Sequence, residues 1–165
     1  MNPMRTRIDW MPGDPAAPPA TTVVPGASVA VVDHHGRLLM IQRADSGNWA
    51  IPSGTMELGE SLPDTAVREC LEETGIHVEL TGLVGTFTHP GRRAEYRGDR
   101  PEVRQEFSIT FTGRPISGEL RASSETNQVR WVPLDELGSL PITEAMRARI
   151  DAWQHVDAGG APHLG

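Results

Sequence analysis

Short apolar runs separated by polar breaks set the organisation of the chain from Ala27 onward. ASVAVV (27–32) and RLLMIQR (37–43) flank Asp33-His34-His35-Gly36, a turn sequence, and together predict a hairpin-like strand pair. A polar loop at 45–48 leads into Trp49-Ala50-Ile51-Pro52. Further apolar stretches at 77–88, 103–111 and 128–132 predict strands, and HPGRRAEYRGDRPE (89–102) between the first two predicts a basic, polar loop. Residues 133–137 (PLDEL) predict a short helical turn. Residues 142–156 predict an amphipathic helix, with Ile142, Met146, Ile150 and Trp153 at helical spacing. Upstream, PGDPAAPPATTVVP cannot hold a helix or a central strand. Residues 1–25 therefore predict a Pro/Ala-rich arm: either extended, with Ile8, Trp10 and Met11 docking on the body or a partner, or a disordered tail. Residues 26–157 form the domain and 158–165 a flexible C-terminal tail. Strands, helix, strands and helix in that order point to an α/β fold with helices packed on a mixed sheet.

One further helix is marked by its ends. Ser61-Leu62-Pro63-Asp64 has capping-box spacing, Pro63 is tolerated in the first turn, and Gly75 sits where a left-handed cap closes a helix. The predicted span is 62–74. Val67, Cys70, Leu71 and Thr74 fall on the packing side, and Glu69, Glu72 and Glu73 on the other.

Composition narrows the class. The 165 residues are 38% hydrophobic and 22% charged, as in a globular domain. The formal net charge of −7 argues against general nucleic-acid binding. All 15 basic residues are arginine, so any cationic side-chain contact to phosphate is a guanidinium. Cys70 is the only cysteine, which excludes an internal disulfide, and no secretory leader or membrane-length apolar run is evident. The expected location is the cytoplasm.

The chemistry concentrates in the capped helix. Glu69, Glu72 and Glu73 stand at i, i+3 and i+4 beside Arg68, and like charges at this spacing destabilise a helix unless a positive partner intervenes. Arg68 is expected to satisfy one of the three, and a hard divalent cation is the simplest partner for the rest.

Residues 54–76 read GTMELGESLPDTAVRECLEETGI. Gly54, Glu60, Arg68, Glu69, Cys70, Glu72, Glu73, Gly75 and Ile76 match the pattern G-x5-E-x7-R-E-U-x-E-E-x-G-U, where U is a bulky apolar residue. The chain resembles a Nudix hydrolase over this segment, and its order of elements is similar to that fold from about Ala27 to Val156. Two positions depart: Cys70 stands where Ile, Leu or Val is usual, and Ser53 where many members have a second glycine.

The resemblance implies an α/β/α sandwich with a mixed central sheet. It also implies a metal-dependent hydrolase cleaving the diphosphate linkage of a nucleoside diphosphate derivative; the alternative is a non-catalytic nucleotide-binding or sensor module of the same fold. An interaction protein using the Pro-rich arm is a third reading. By the resemblance Glu69, Glu72 and Glu73, with the Gly54 carbonyl, ligate Mg2+ (or Mn2+), Arg68 orients a glutamate, and Glu60 supports the loop. Glu125 is the first candidate for a general base outside the motif, with Glu106 and Glu102 as alternatives. Arg92, Arg93 and Arg104 are the candidate substrate contacts. Tyr96 and Phe87 are candidates for stacking a base, whereas Trp49, Trp131, Met146 and Trp153 are expected in the core and His34, His35 and His89 at the surface. The expected partner is a small nucleotide derivative, with a homodimer open and no membrane. Pro90 and Tyr96 lie near, but not at, positions diagnostic of two subfamilies, so no substrate is assigned.

Overall fold

The computed structural model describes residues 6–165, and the part of the expected arm at residues 1–5 lies outside the described residues. In chain order the elements are β1 (Thr6–Trp10), β2 (Thr22–Val23), β3 (Gly26–Val31), β4 (Leu38–Arg43), β5 (Trp49–Ala50), β6 (Ser53–Thr55), α1 (Leu62–Thr74), β7 (Ile76–Phe87), β8 (Arg93–Arg97), β9 (Glu102–Gln105), β10 (Ser108–Gly118), β11 (Thr126–Val132), a 3-10 turn (Leu134–Ser139), α2 (Glu144–Asp157) and β12 (His163–Leu164).

The central sheet is mixed. Its order is β12-β7-β10-β3-β6, with β10 parallel to β3, β12 parallel to β7 and the other pairs antiparallel. A second sheet, β11-β4-β5, is antiparallel. The predicted hairpin of β3 and β4 does not form a ladder, and a single bridge, Val32 to Leu38, joins the two segments. Both are apolar on both faces, so each is buried between layers rather than paired with the other. Ala27, Val29, Val31 and Leu39 pack with Ala66 and Cys70 of α1, while Ala30, Leu38 and Met40 pack with Ile150 and Trp153 of α2. This period-two split places a helix on each side and gives the expected α/β/α arrangement. Trp49 and Trp153 are buried in the α2 core, and Trp131 packs partly buried against the α1 core.

α1 spans the predicted residues because its signals are local. Ser61 Oγ accepts from the Asp64 N–H and the Asp64 carboxylate accepts from the Ser61 N–H, a reciprocal cap. At the other end Gly75 adopts φ 78°, and a Cβ there would lie 2.3 Å from the Glu119 carbonyl oxygen.

The stretch predicted as a basic loop is instead half strand. Arg93–Arg97 pairs antiparallel with Glu102–Gln105 on one side and with β1 on the other, Trp10 opposite Arg93. Alternating Arg and Glu hid this strand, because the small sheet β1-β8-β9-β2 is held by backbone pairing at the surface rather than by an apolar face. The arm thus runs extended against the body from Thr6, with Arg93 donating to the Pro18 carbonyl at 2.6 Å. At the far end, residues 163–165 return along β7, and His163 stacks on Phe87 at 4.6 Å between centroids. Among the described residues no helix is long and apolar enough to cross a membrane.

Candidate active site

α1 and β6 build an acidic corner. β6 runs antiparallel to β3 beside the helix, and the Ser53 N–H donates to Glu73 Oε2 at 2.9 Å. The next residue passes so close to the helix that a Cβ on Gly54 would sit 2.0 Å from Glu69 Cδ. Only a residue without a side chain leaves Glu69 its place.

The sequence reading put the three glutamates on one face, but they do not share one environment. Glu73 is 6% exposed and lies with Ala66 and Cys70 on the packed side of α1, whereas the Glu72 side chain is 59% exposed. Helical geometry explains the split. At about 100° per residue, Glu73 is roughly 20° from Ala66 and 100° from Glu72. Counting Glu73 from the apolar positions, rather than from the other acids, would have found this.

Arg68 also does more than satisfy one carboxylate. Its guanidinium contacts both oxygens of Glu60, donates to Glu69 Oε1 at 2.7 Å and to Glu72 Oε2 at 3.2 Å, and reaches the Thr55 carbonyl at 3.0 Å. Glu60 in turn accepts from the Glu57 N–H and the Thr65 hydroxyl, which ties the 56–60 loop to the helix. The Arg68 contact holds the Glu60 carboxyl down at about 2, and the carboxylates push the Arg68 guanidinium up.

Glu69 and Glu73 move the other way. Burial raises the Glu69 carboxyl; Arg68 opposes this, and the charges of Glu72 and Glu125 add to it. Burial pushes Glu73 up to about 8 against the Ser53 hydrogen bond, with Glu69 and Glu125 contributing further. Glu125, an exposed loop residue anchored through its carbonyl to the Ala44 N–H, is therefore near enough to be felt by both. Among the described residues no three acidic, His or Cys side chains already stand as a metal cage, for Arg68 draws Glu69 and Glu72 together with Glu60. The donor set nevertheless fits a hard cation by chemistry: carboxylate oxygens, two of them raised chiefly by burial and further by the neighbouring negative charges.

Next to this corner lies a cavity of about 170 Å³. Thr55 belongs to its wall and also receives Arg68, so the two sites adjoin. Arg92, Arg93 and Arg104 all line it, as do Arg7 from the arm and Arg149 from α2. Arg93 is already tied to arm carbonyls, and Arg104 bonds Glu102 and lies 4.6 Å over the Tyr96 ring. Tyr96 faces the cavity, whereas Phe87 packs under His163 and Arg149 elsewhere. The alternative bases are not in the acidic corner: Glu102 pairs with Arg104, and Glu106 pairs with Arg149. Trp10, Glu106 and Arg149 were missed as cavity residues, and no local pattern marks them, since arm, hairpin and α2 meet only in the fold. A larger hollow of about 510 Å³, between α2 and residues 161–164, contains none of the acidic residues of the corner.

Comparison with known proteins agrees with this geometry. The family model described as NUDIX domain matches residues 22–154. A MutT-like protein from Streptomyces ambofaciens is 36% identical over 156 residues, covering 93% of this chain and 88% of the relative. A putative 8-oxo-dGTP diphosphatase from Bacillus subtilis is 32% identical, covering 71% of this chain and 69% of the relative. Among solved structures, a NUDIX hydrolase from Nitrosomonas europaea superposes with a TM-score of 0.68 at 21% identity, covering 96% of this chain and 92% of that one.

Proposed function

The chain belongs to the Nudix family, and we propose that this Nudix-type pyrophosphohydrolase cleaves the diphosphate linkage of a nucleoside diphosphate derivative by attack of water at phosphorus. The observation that supports this most is the adjacency of two raised carboxylates, partly buried Glu69 and buried Glu73, to a cavity lined by five arginines.

Glu69, Glu72, Glu73 and the Gly54 carbonyl would hold the cation. Mg2+, or Mn2+ in its place, supplies neutralisation of phosphate charge and a more acidic water. Arg68 positions Glu69 and fixes the 56–60 loop through Glu60, so the ligand geometry does not depend on a mobile loop. Glu125 is our candidate to take the proton of the attacking water. As the new P–O bond forms, the bridging P–O bond breaks and its electrons leave with the departing phosphate. The cavity arginines receive the part of the nucleotide that enters the cavity and offset a chain of net charge −7.

The test is release of a monophosphate from a panel including ADP-ribose, nucleoside triphosphates and 8-oxo-dGTP, with and without Mg2+. Glu72→Gln and Glu73→Gln are expected to abolish turnover while the circular dichroism spectrum stays native. Turnover that persists in both variants, or in excess chelator, overturns the assignment.

A further inference from the structure

The cavity contains an unmet acceptor. Glu106 lies in the segment between β9 and β10, with its N–H donating to the Arg92 carbonyl. Its side chain is 10% exposed. Oε1 accepts from Arg149 at 2.6 Å, and Arg149 is itself fixed by the Ala145 carbonyl and by the Phe87 ring at 5.0 Å. Oε2 is buried and meets no donor among the described residues; the Arg92 Nε stands 3.8 Å away, beyond hydrogen-bond reach. A buried carboxylate oxygen without a partner is costly, and a native fold retains one where something else completes it.

The surroundings indicate what completes it. Tyr96 lies under the Arg104 guanidinium, and the Trp10 ring is fixed by its hydrogen bond to Glu95 at 3.0 Å. Phe107, next to Glu106, leaves 37% of its surface open on the same wall. Flat aromatic and guanidinium faces receive a planar ring, and about 170 Å³ holds a ring system rather than a whole nucleotide.

We propose that Glu106 is a specificity-determining acceptor, reading an exocyclic amine on the nucleobase of the substrate. This rests on the nucleotide reading above and deepens it: the amine donates to Oε2, and the phosphates extend out of the cavity past Thr55 to the adjoining acidic corner. A base without the amine leaves Oε2 unmet and binds more weakly.

Equilibrium binding separates this from turnover. Titration calorimetry on the full chain in EDTA compares adenosine, purine riboside and inosine 5′-diphosphates. The adenosine compound is expected to bind roughly tenfold tighter or better, the effect of one hydrogen bond to a charged group. In Glu106→Gln the amide oxygen must stay on Arg149, which only donates, so the amide NH2 replaces Oε2. That variant is expected to reverse the order and favour inosine, whose exocyclic carbonyl oxygen accepts where adenine carries its amine; loss of negative charge alone would strengthen all three ligands equally and leave the ratio unchanged.

Equal affinities in the unmodified chain, or no binding, overturn the proposal whether or not the variant folds. So does discrimination that follows the ribose 2′-hydroxyl, tested with 2′-deoxyadenosine 5′-diphosphate, in place of the base. Mg2+-dependent hydrolysis without base preference would sink this inference and leave the proposed function standing. Base preference in binding without hydrolysis would do the reverse.

Discussion

Glu73→Gln should make the metal-free protein more stable while removing its activity. The carboxyl is raised from 4.5 to about 8, chiefly by burial. A group raised in the folded state contributes stability that is fully present below its unfolded pKa and is lost as pH rises through its folded pKa. The loss for Glu73 therefore runs from about pH 4.5 to about pH 8. At 1.36 kcal/mol per pH unit, the stability lost is about 3 kcal/mol at pH 7, where the unfolded carboxyl has ionised and the folded one still holds its proton, and approaches about 5 kcal/mol above pH 9, an upper limit because water can enter as the site relaxes. Glutamine keeps an acceptor for the Ser53 N–H and carries no charge. For a chain of this size 1 kcal/mol moves Tm by about 2–4 °C, so the variant should melt roughly 6–12 °C above the parent at pH 7 and level with it at pH 4. Thermal melts of both proteins in EDTA across pH 4–9 give the difference directly, and titrating groups not coupled to Glu73 cancel in it. Parallel curves, with no divergence between pH 5 and 8, would refute the claim that burial raises the Glu73 carboxyl.

Other residues give independent tests. Gly54→Ala puts a Cβ 2.0 Å from Glu69 Cδ. Turnover should fall about a hundredfold for a displacement near 1 Å, with overpacking costing about 1–3 kcal/mol in denaturant melts. Arg68→Lys cannot span Glu60, Glu69 and the Thr55 carbonyl at once. Because Arg68 now lowers the Glu69 carboxyl, the acid limb of the kcat/KM profile should shift to higher pH, with kcat/KM at pH 7 down by roughly tenfold for a lost charged hydrogen bond. Ser61→Ala removes the reciprocal cap and should cost about 1 kcal/mol in urea unfolding with kcat unchanged.

What could be read from the sequence follows the distance over which each feature is determined. The span of α1 was legible because Ser61, Asp64 and Gly75 act within their own helix. Cys70 of α1 and Ile150 and Trp153 of α2 were legible as packing positions from helical spacing. The partners of β3 and β4 were not, since a turn sequence such as 33–36 favours reversal without saying whether the strands stay paired. β8 was hidden for the same reason as the cavity: Arg93 and Trp10 are neighbours only through sheet pairing 83 positions apart. Within the acidic segment, identities indicated the chemistry, but the difference between exposed Glu72 and buried Glu73 comes from what the helix packs on.

The lone thiol gives this protein a built-in reporter. Cys70 is fully buried on α1, and its pKa is pushed up to about 12, so in the closed fold it offers reagents neither access nor thiolate. To a maleimide the folded chain is cysteine-free, and a thiol placed on the arm, for instance at Asp14, would carry a label alone. Any slow modification of Cys70 itself then times the opening of the very helix that carries the glutamates.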